Sequence, residues 1–298
     1  MLNQLIIKTL PLVPKSIVGI FAKKYIAGPE LSDAVRVTKQ LEKIGGSTTI
    51  DVLGEFVTQK DRALHETSMS CMVLDAVIEN KLPTYLSIKP TSLGLGIDED
   101  FGFDNIRSVV AKAADNGIFV RLDMENSPYT TKTLNLYKRL RNNGFNNIGV
   151  VIQSYMRRSY EDIQSLFTFK PSVRLCKGIY NEDVSIAYKD KEEIRNNYKK
   201  LLDLMFDNGL YVGIATHDEV LIKYALEQIS KRNLTNTQYE FQMLLGVRQE
   251  RRNELLADGH RLRVYVPFGK DWYGYATRRM KENPDIAGHV VRALFGKK

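Results

Sequence analysis

Eight short runs of β-branched and apolar residues, each followed by a longer stretch of helical character, recur from residue 47 almost to the end of the chain. The runs fall at 47–53, 83–88, 118–123, 147–153, 172–176, 211–215, 239–244 and 262–266. Helical stretches follow at 61–80, 103–116, 130–142, 159–167, 191–207, 218–231 and 248–256, and a last one opens at Asp271, a residue type that caps helix N-termini. Eight strand-then-helix units with short connections predict a (βα)8 barrel of the TIM type in preference to a doubly wound sheet, which usually stops nearer about six strands. Before the first run the pattern is helical, at 16–25 and 31–44, and Gly45-Gly46 stops it. The expected organisation is therefore an N-terminal helical segment at 1–45 and a barrel catalytic domain at 46–298.

Composition narrows the class without choosing a function. The 298 residues, 43% apolar and 26% charged, suit a soluble globular chain long enough for one large barrel. There is no run of eighteen or more apolar residues, the pattern that a helix spanning a bilayer requires. Residues 1–12 are apolar but lack a basic start and a small-residue cleavage site, which argues against a secretory signal, so the expected location is the cytoplasm. Cys71 and Cys176 make no disulfide framework, and no Cys or His spacing suggests a metal site. The net charge of +8 permits attraction to nucleic acid or an anionic membrane, but the basic residues are scattered among acids without a long cluster.

Barrels of this type keep their chemistry at the C-terminal ends of the strands. That rule places Lys89, Asp123, Gln153, Arg174, Lys177, His217, Gln242 and Tyr265 around one mouth. On the last helix, Tyr275, Arg278, Arg279 and Glu282 stand at i, i+3, i+4 and i+7, so one face presents two guanidinium forks. Such a pair suits bidentate capture of a carboxylate or phosphate, whereas spacing alone favours a solvated basic face.

The segments 87–89, 121–123, 151–153, 215–217 and 239–244, together with Arg174-x-x-Lys177-Gly178-x-Tyr180, Tyr265-Val266-Pro267 and Tyr275-x-x-Arg278-Arg279-x-x-Glu282, resemble the proline dehydrogenase family. The likeness runs from about residue 47 to 295 and does not reach the N-terminal helices. It implies a distorted (βα)8 barrel and a monofunctional flavoprotein with non-covalent FAD, since the chain is too short for the aldehyde dehydrogenase half of the bifunctional relatives. The implied reaction is oxidation of L-proline to Δ1-pyrroline-5-carboxylate by hydride transfer to the flavin N5. A membrane quinone would take the electrons, through peripheral contact with the inner face of the membrane and with no role for nucleic acid.

By the same resemblance, Arg278, Arg279 and Lys89 bind the proline carboxylate, Tyr275 and Tyr265 wall the ring, and Leu244 packs on it. Tyr265 would leave little room for the hydroxyl of 4-hydroxyproline. Arg174 and Gln153 resemble residues that contact the flavin ring; Lys177, Gly178, Thr216 and His217 resemble those holding its ribityl and pyrophosphate part, and Glu282 resembles an acid that contacts the flavin or steadies the two arginines. Asp123 and Tyr180 complete the catalytic set, Asp123 orienting Lys89 or Tyr180 or accepting from the substrate amine, with a strand-end ion pair to Lys89 as its structural role. Glu55 resembles an acid that pairs with an active-site arginine in a gate. Gly94-Leu95-Gly96 lacks the third glycine of a dinucleotide fingerprint, so no Rossmann site is expected. Two rival readings remain: a barrel aldolase using Lys89 or Lys177 as a Schiff-base amine, and a catalytically silent barrel binding nucleic acid or membrane through its charge.

Overall fold

A computed structural model of the chain describes residues 18, 19 and 22–282, the side chains of 278–282 excepted. The eight runs form eight strands: β1 Ser47–Val52, β2 Thr84–Ile88, β3 Val120–Leu122, β4 Ile148–Gln153, β5 Ser172–Cys176, β6 Tyr211–Ala215, β7 Tyr239–Leu244 and β8 Leu262–Phe268. Each pairs in parallel with the next, and β8 closes on β1 with Tyr265 opposite Thr49. The helices are α1 Leu31–Glu42, α2 Lys60–Glu79, α3 Glu99–Asp115, α4 Ser127–Asn142, α5 Ser159–Gln164, α6 Lys191–Asp207, α7 Glu219–Lys231, α8 Gln249–Ala257 and α9 Trp272–Glu282. The expected (βα)8 order is present.

Element boundaries shift where capping chemistry decides them. Helix α3 begins about one turn before residue 103, because Asp98 accepts from the Phe101 N–H at 2.7 Å and Glu99 and Asp100 sit at the positive end of the helix. Helix α4 likewise starts at Ser127, with Pro128 in its first turn, where a missing N–H is harmless. Strand β8 runs through Pro267 to Phe268 and ends before Gly269, whose φ of +128° suits glycine.

Side chains alternate between two environments, as the two-residue strand period requires. Ile50, Leu86, Val120, Val150, Val212 and Val264 join the core between barrel and helices. The other parity points inward and is unusually polar: Thr49 and Asp51, Ser87, Arg121, Arg174, Glu240 and Gln242, and Arg263 are all buried. Two glycines make room for it. A Cβ on Gly149 of β4 would collide with Arg121, and one on Gly213 of β6 would collide with the Gln242 amide.

The barrel departs from regular symmetry at its seam. Helix α1, which precedes the first strand, packs against β8 and β1, the place that the helix after the last strand takes in a regular barrel. Helix α9 is displaced toward the C-terminal mouth. Its Tyr275 and Ala276 form a small apolar cluster with Val18, Ala22, Tyr25, Ile26 and Leu53. The helix expected at 16–25 lies partly outside the described residues.

Candidate active site

At the C-terminal ends of the strands a cavity of about 800 Å³ opens. Its wall includes all eight residues that the strand-end rule selects, from Lys89 to Tyr265, and also Glu55, Gly178, Tyr180, Thr216, Leu244 and Tyr275. The backbones of Arg278, Arg279 and Glu282 continue α9 from Tyr275, but their side chains lie outside the described residues.

Two ion pairs, one buried and one half-buried, organise the floor of this cavity. Lys89 Nζ donates to both oxygens of Asp51, at 2.5 and 2.7 Å. Arg174 Nη1 donates to Asp123 Oδ1 at 2.7 Å, and its Nε donates to Gln242 Oε1 at 2.6 Å. The same Asp123 carboxylate accepts from Tyr265 Oη at 2.8 Å and Ser87 Oγ at 2.6 Å. The expected Asp123–Lys89 pair is therefore replaced. Asp51, on the strand next to β2, takes the lysine, which leaves Asp123 to hold Arg174 and Tyr265.

Burial sets the protonation of these groups. It pushes the Asp51 carboxyl up to about 6 against the opposing pull of Lys89. Burial alone would lower the Lys89 ammonium, but the Asp51 and Asp123 charges outweigh it and hold the amine charged. Burial, then the charges of Asp123 and Asp51, raises the Tyr265 phenol well above its ordinary range, so its hydroxyl is a donor at neutral pH. Glu125, which follows β3, is pushed by burial to about 7 although Thr91 donates to it through both its N–H, at 2.9 Å, and its hydroxyl.

A second, wetter group lies on the β5–β7 side. Asp218 accepts from Arg195 Nε and Nη2, both at 2.9 Å, and Lys177 Nζ stands 3.3 Å from it. Burial would raise the Asp218 carboxyl, but the Arg195 hydrogen bonds and the Lys177 charge hold it down at about 2. Arg248 and Lys191 line the same side, so cations outnumber acids there. That suits an oligophosphate tail. His217 Nε2 accepts from the Leu244 N–H at 2.9 Å, which fixes the ring at the end of β7. Gly178, with φ of +103°, lies where a Cβ would collide with the Tyr155 ring. Tyr180 Oη stands 3.4 Å from Glu55 Oε2, so loops from opposite sides of the barrel meet across the mouth.

Strand-end reasoning missed Asp51, Glu125, Tyr25 and Arg195. Asp51 had a signal, since it shares the parity of Thr49 on a strand paired with both β2 and β8. Arg195 sits in the first turns of α6, and Tyr25 precedes the barrel; neither position carries a local signature.

Sequence and structure comparisons agree on the kind of protein this geometry serves. The proline dehydrogenase family model matches residues 34–292. Proline dehydrogenase 1 of Bacillus subtilis is 34% identical over 276 residues, covering 93% of this chain and 91% of the relative. The proline dehydrogenase of Deinococcus radiodurans is 35% identical over 278 residues, with 92% and 90% covered. A crystal structure of proline utilization A from Bdellovibrio bacteriovorus, inactivated by N-propargylglycine, superposes with a TM-score of 0.84 at 26% identity. That match covers 89% of this chain and 32% of the longer one. The fold is thus an oxidoreductase barrel of proline catabolism, and the chain belongs to the proline dehydrogenase family, a family that is generally flavin-dependent.

Proposed function

We propose that this chain oxidises L-proline to Δ1-pyrroline-5-carboxylate with non-covalent FAD, and that a membrane quinone takes the electrons onward. The observation that carries this reading is the Tyr265–Asp123–Arg174 hydrogen-bonded constellation beside the buried Lys89–Asp51 pair, on the floor of one large cavity. FAD, when bound, supplies the two-electron acceptor for the hydride that leaves the substrate ring.

The residues present fit both ligands. Lys89, held charged, joins Arg278 and Arg279 in binding the substrate carboxylate, and Tyr265, Tyr275 and Leu244 enclose the ring. Arg174 and Gln153 hold the flavin ring, while Lys177, Gly178, Thr216 and His217, with Arg195 and Arg248 beside them, hold its phosphate-bearing tail. Glu282, the last residue of α9, is assigned to the flavin or to steadying the two arginines. Asp123 keeps the Arg174 guanidinium and the Tyr265 hydroxyl in place, so that positive charge is already oriented where negative charge accumulates during the reaction. Tyr180 and Glu55 close the mouth and exclude water. The charged state of Lys89 opposes an aldolase reading built on that lysine, which needs a neutral amine. Delivery to a quinone would occur through peripheral contact with the inner face of the membrane; none of the described helices is long and apolar enough to cross one.

The test is spectroscopic. The purified, FAD-loaded protein should show a flavin spectrum that bleaches when L-proline is added without oxygen, and much less with 4-hydroxyproline. A flavin that stays oxidised with proline would refute the substrate, and a protein that cannot be loaded with FAD would refute the cofactor. Arg278→Ala or Arg279→Ala should raise the KM for proline at least about tenfold while flavin stays bound; loss of flavin with unchanged substrate affinity would overturn that division of labour.

A further inference from the structure

A second cavity, of about 480 Å³, opens at the opposite, N-terminal end of the barrel, where the reaction assigned above places nothing. Its wall carries Lys81, Arg261 and Arg263 and, among the described residues, no aspartate or glutamate. Arg263 is 3% exposed. Its Nε donates to Glu240 at 2.8 Å and its Nη1 to the Thr48 carbonyl at 2.6 Å, while its Nη2 has no hydrogen-bond partner among the described residues. A guanidinium this deeply buried keeps its charge and normally satisfies its donors, so an open donor in a cavity wall marks a place for an acceptor.

The layer behind that wall has a surplus of positive charge. Arg121 and Arg263 are both buried there, and Glu240 is the acid that faces them. Arg121 spends its Nη atoms on the Val150 and Ser172 carbonyls and the Ser172 hydroxyl, and its Nε has no partner among the described residues. Burial, then repulsion from Arg174, brings its guanidinium down to about 9. The two arginines are joined by an aromatic bridge: Arg121 lies 4.9 Å from the Phe119 ring centre, Phe119 lies 4.7 Å from Tyr85, and Arg263 lies 3.4 Å from Tyr85. Phe119 and Tyr85 line the cavity, so an anion there would face the whole cationic stack.

We propose that the N-terminal mouth is a binding site for a small multivalent anion of the phosphate type, with Arg263 as the buried donor and Lys81 and Arg261 as the exposed arms. The ligand would be bound more than a barrel layer away from proline, and it would offset buried positive charge that one glutamate does not balance.

Inorganic phosphate and pyrophosphate are the probes, titrated calorimetrically at constant ionic strength into the FAD-loaded enzyme so that the phosphate-binding side of the upper mouth is filled. One saturable site per chain is expected. Lys81→Ala with Arg261→Ala, both exposed positions, should weaken it at least about tenfold while leaving proline oxidation unchanged. Arg263→Lys, which keeps the charge but removes the fork, should weaken pyrophosphate binding also in protein whose circular dichroism is unaltered. Absence of saturable binding at millimolar phosphate and pyrophosphate, or binding of equal strength in the Lys81/Arg261 double variant, would overturn the site.

Discussion

The two ends of this barrel bury charge in opposite ways. At the C-terminal mouth Asp51 and Glu125 have their carboxyl groups pushed up, to about 6 and about 7, because burial outweighs the donors around them. One layer below, Glu240 is just as buried, yet Arg263 outweighs that burial and holds its carboxyl below the ordinary value. The upper layer matches cation to anion, Lys89 to Asp51 and Arg174 to Asp123, and faces a large cavity. The lower layer is rich in cations and packed between aromatic rings. The layers are continuous: Tyr265, Asp123, Arg174, Gln242, Glu240 and Arg263 form one hydrogen-bonded chain down the barrel axis. What differs is the work assigned to the charge. Above, it is poised toward the large cavity; below, it ties neighbouring strands together and orients what lies above, with the Arg263 guanidinium also lining the smaller cavity.

The strongest way to break this contrast is to remove the lower acid. Glu240→Ala strands two buried arginines and takes a partner from Gln242, and should destabilise the fold by about 3–5 kcal/mol, read as a fall in the urea midpoint. A variant with unchanged stability would mean that the lower layer is not held by that carboxylate.

Next in size is a pH effect from the upper end. Glu125 rises from an ordinary 4.5 to about 7 on folding, so the folded chain holds a proton that the unfolded chain has released. Its contribution is complete below about pH 4.5 and is lost as pH rises through about 7, by roughly 3 kcal/mol in all. Asp51, raised from 3.8 to about 6, adds to the fall over the lower part of that window. Denaturant titrations between these limits should show the decline, and Glu125→Gln should flatten it; an equally steep profile in that variant would assign the proton elsewhere.

Asp123→Asn sharpens the contrast from the catalytic side. It keeps the shape of the side chain but removes the charge that orients Arg174 and Tyr265, and should lower kcat/KM for proline by roughly a hundredfold, with a much smaller loss of stability than Glu240→Ala. If the fold loses more than the activity does, the two layers do not divide their labour as described. The smallest effect is expected of Tyr265→Phe, which removes one hydrogen bond to Asp123 and should change kcat/KM by about threefold to tenfold. The same variant should admit 4-hydroxyproline more readily, visible as a narrower ratio of the two substrates' kcat/KM.

Much of this arrangement was legible in the chain. Strand and helix order, the (βα)8 architecture and the mouth position of Lys89, Asp123, Gln153, Arg174, Lys177, His217, Gln242 and Tyr265 follow from local periodicity and one rule about barrel ends. Partnership was less legible. Asp123 and Lys89 are both strand-end residues on neighbouring strands, and nothing local shows that β1 supplies Asp51 to the lysine. Boundaries at α3 and α4 moved because a capping Asp98 and an early Pro128 extend those helices beyond their apolar periodicity.

By itself the sequence determined which side chains of a strand share a face, because a strand's two-residue period is a property of the backbone; closure into a barrel decided which of the two faces is in. The tertiary structure decided what each interior charge meets. Strand register sets Asp51 beside Lys89, a glycine on β4 makes room for Arg121, and α1 takes the seam between β8 and β1 while α9 carries Tyr275 to the mouth. Ion pairing depends on ångström distances between residues far apart in the chain, and those distances exist only once the barrel has closed.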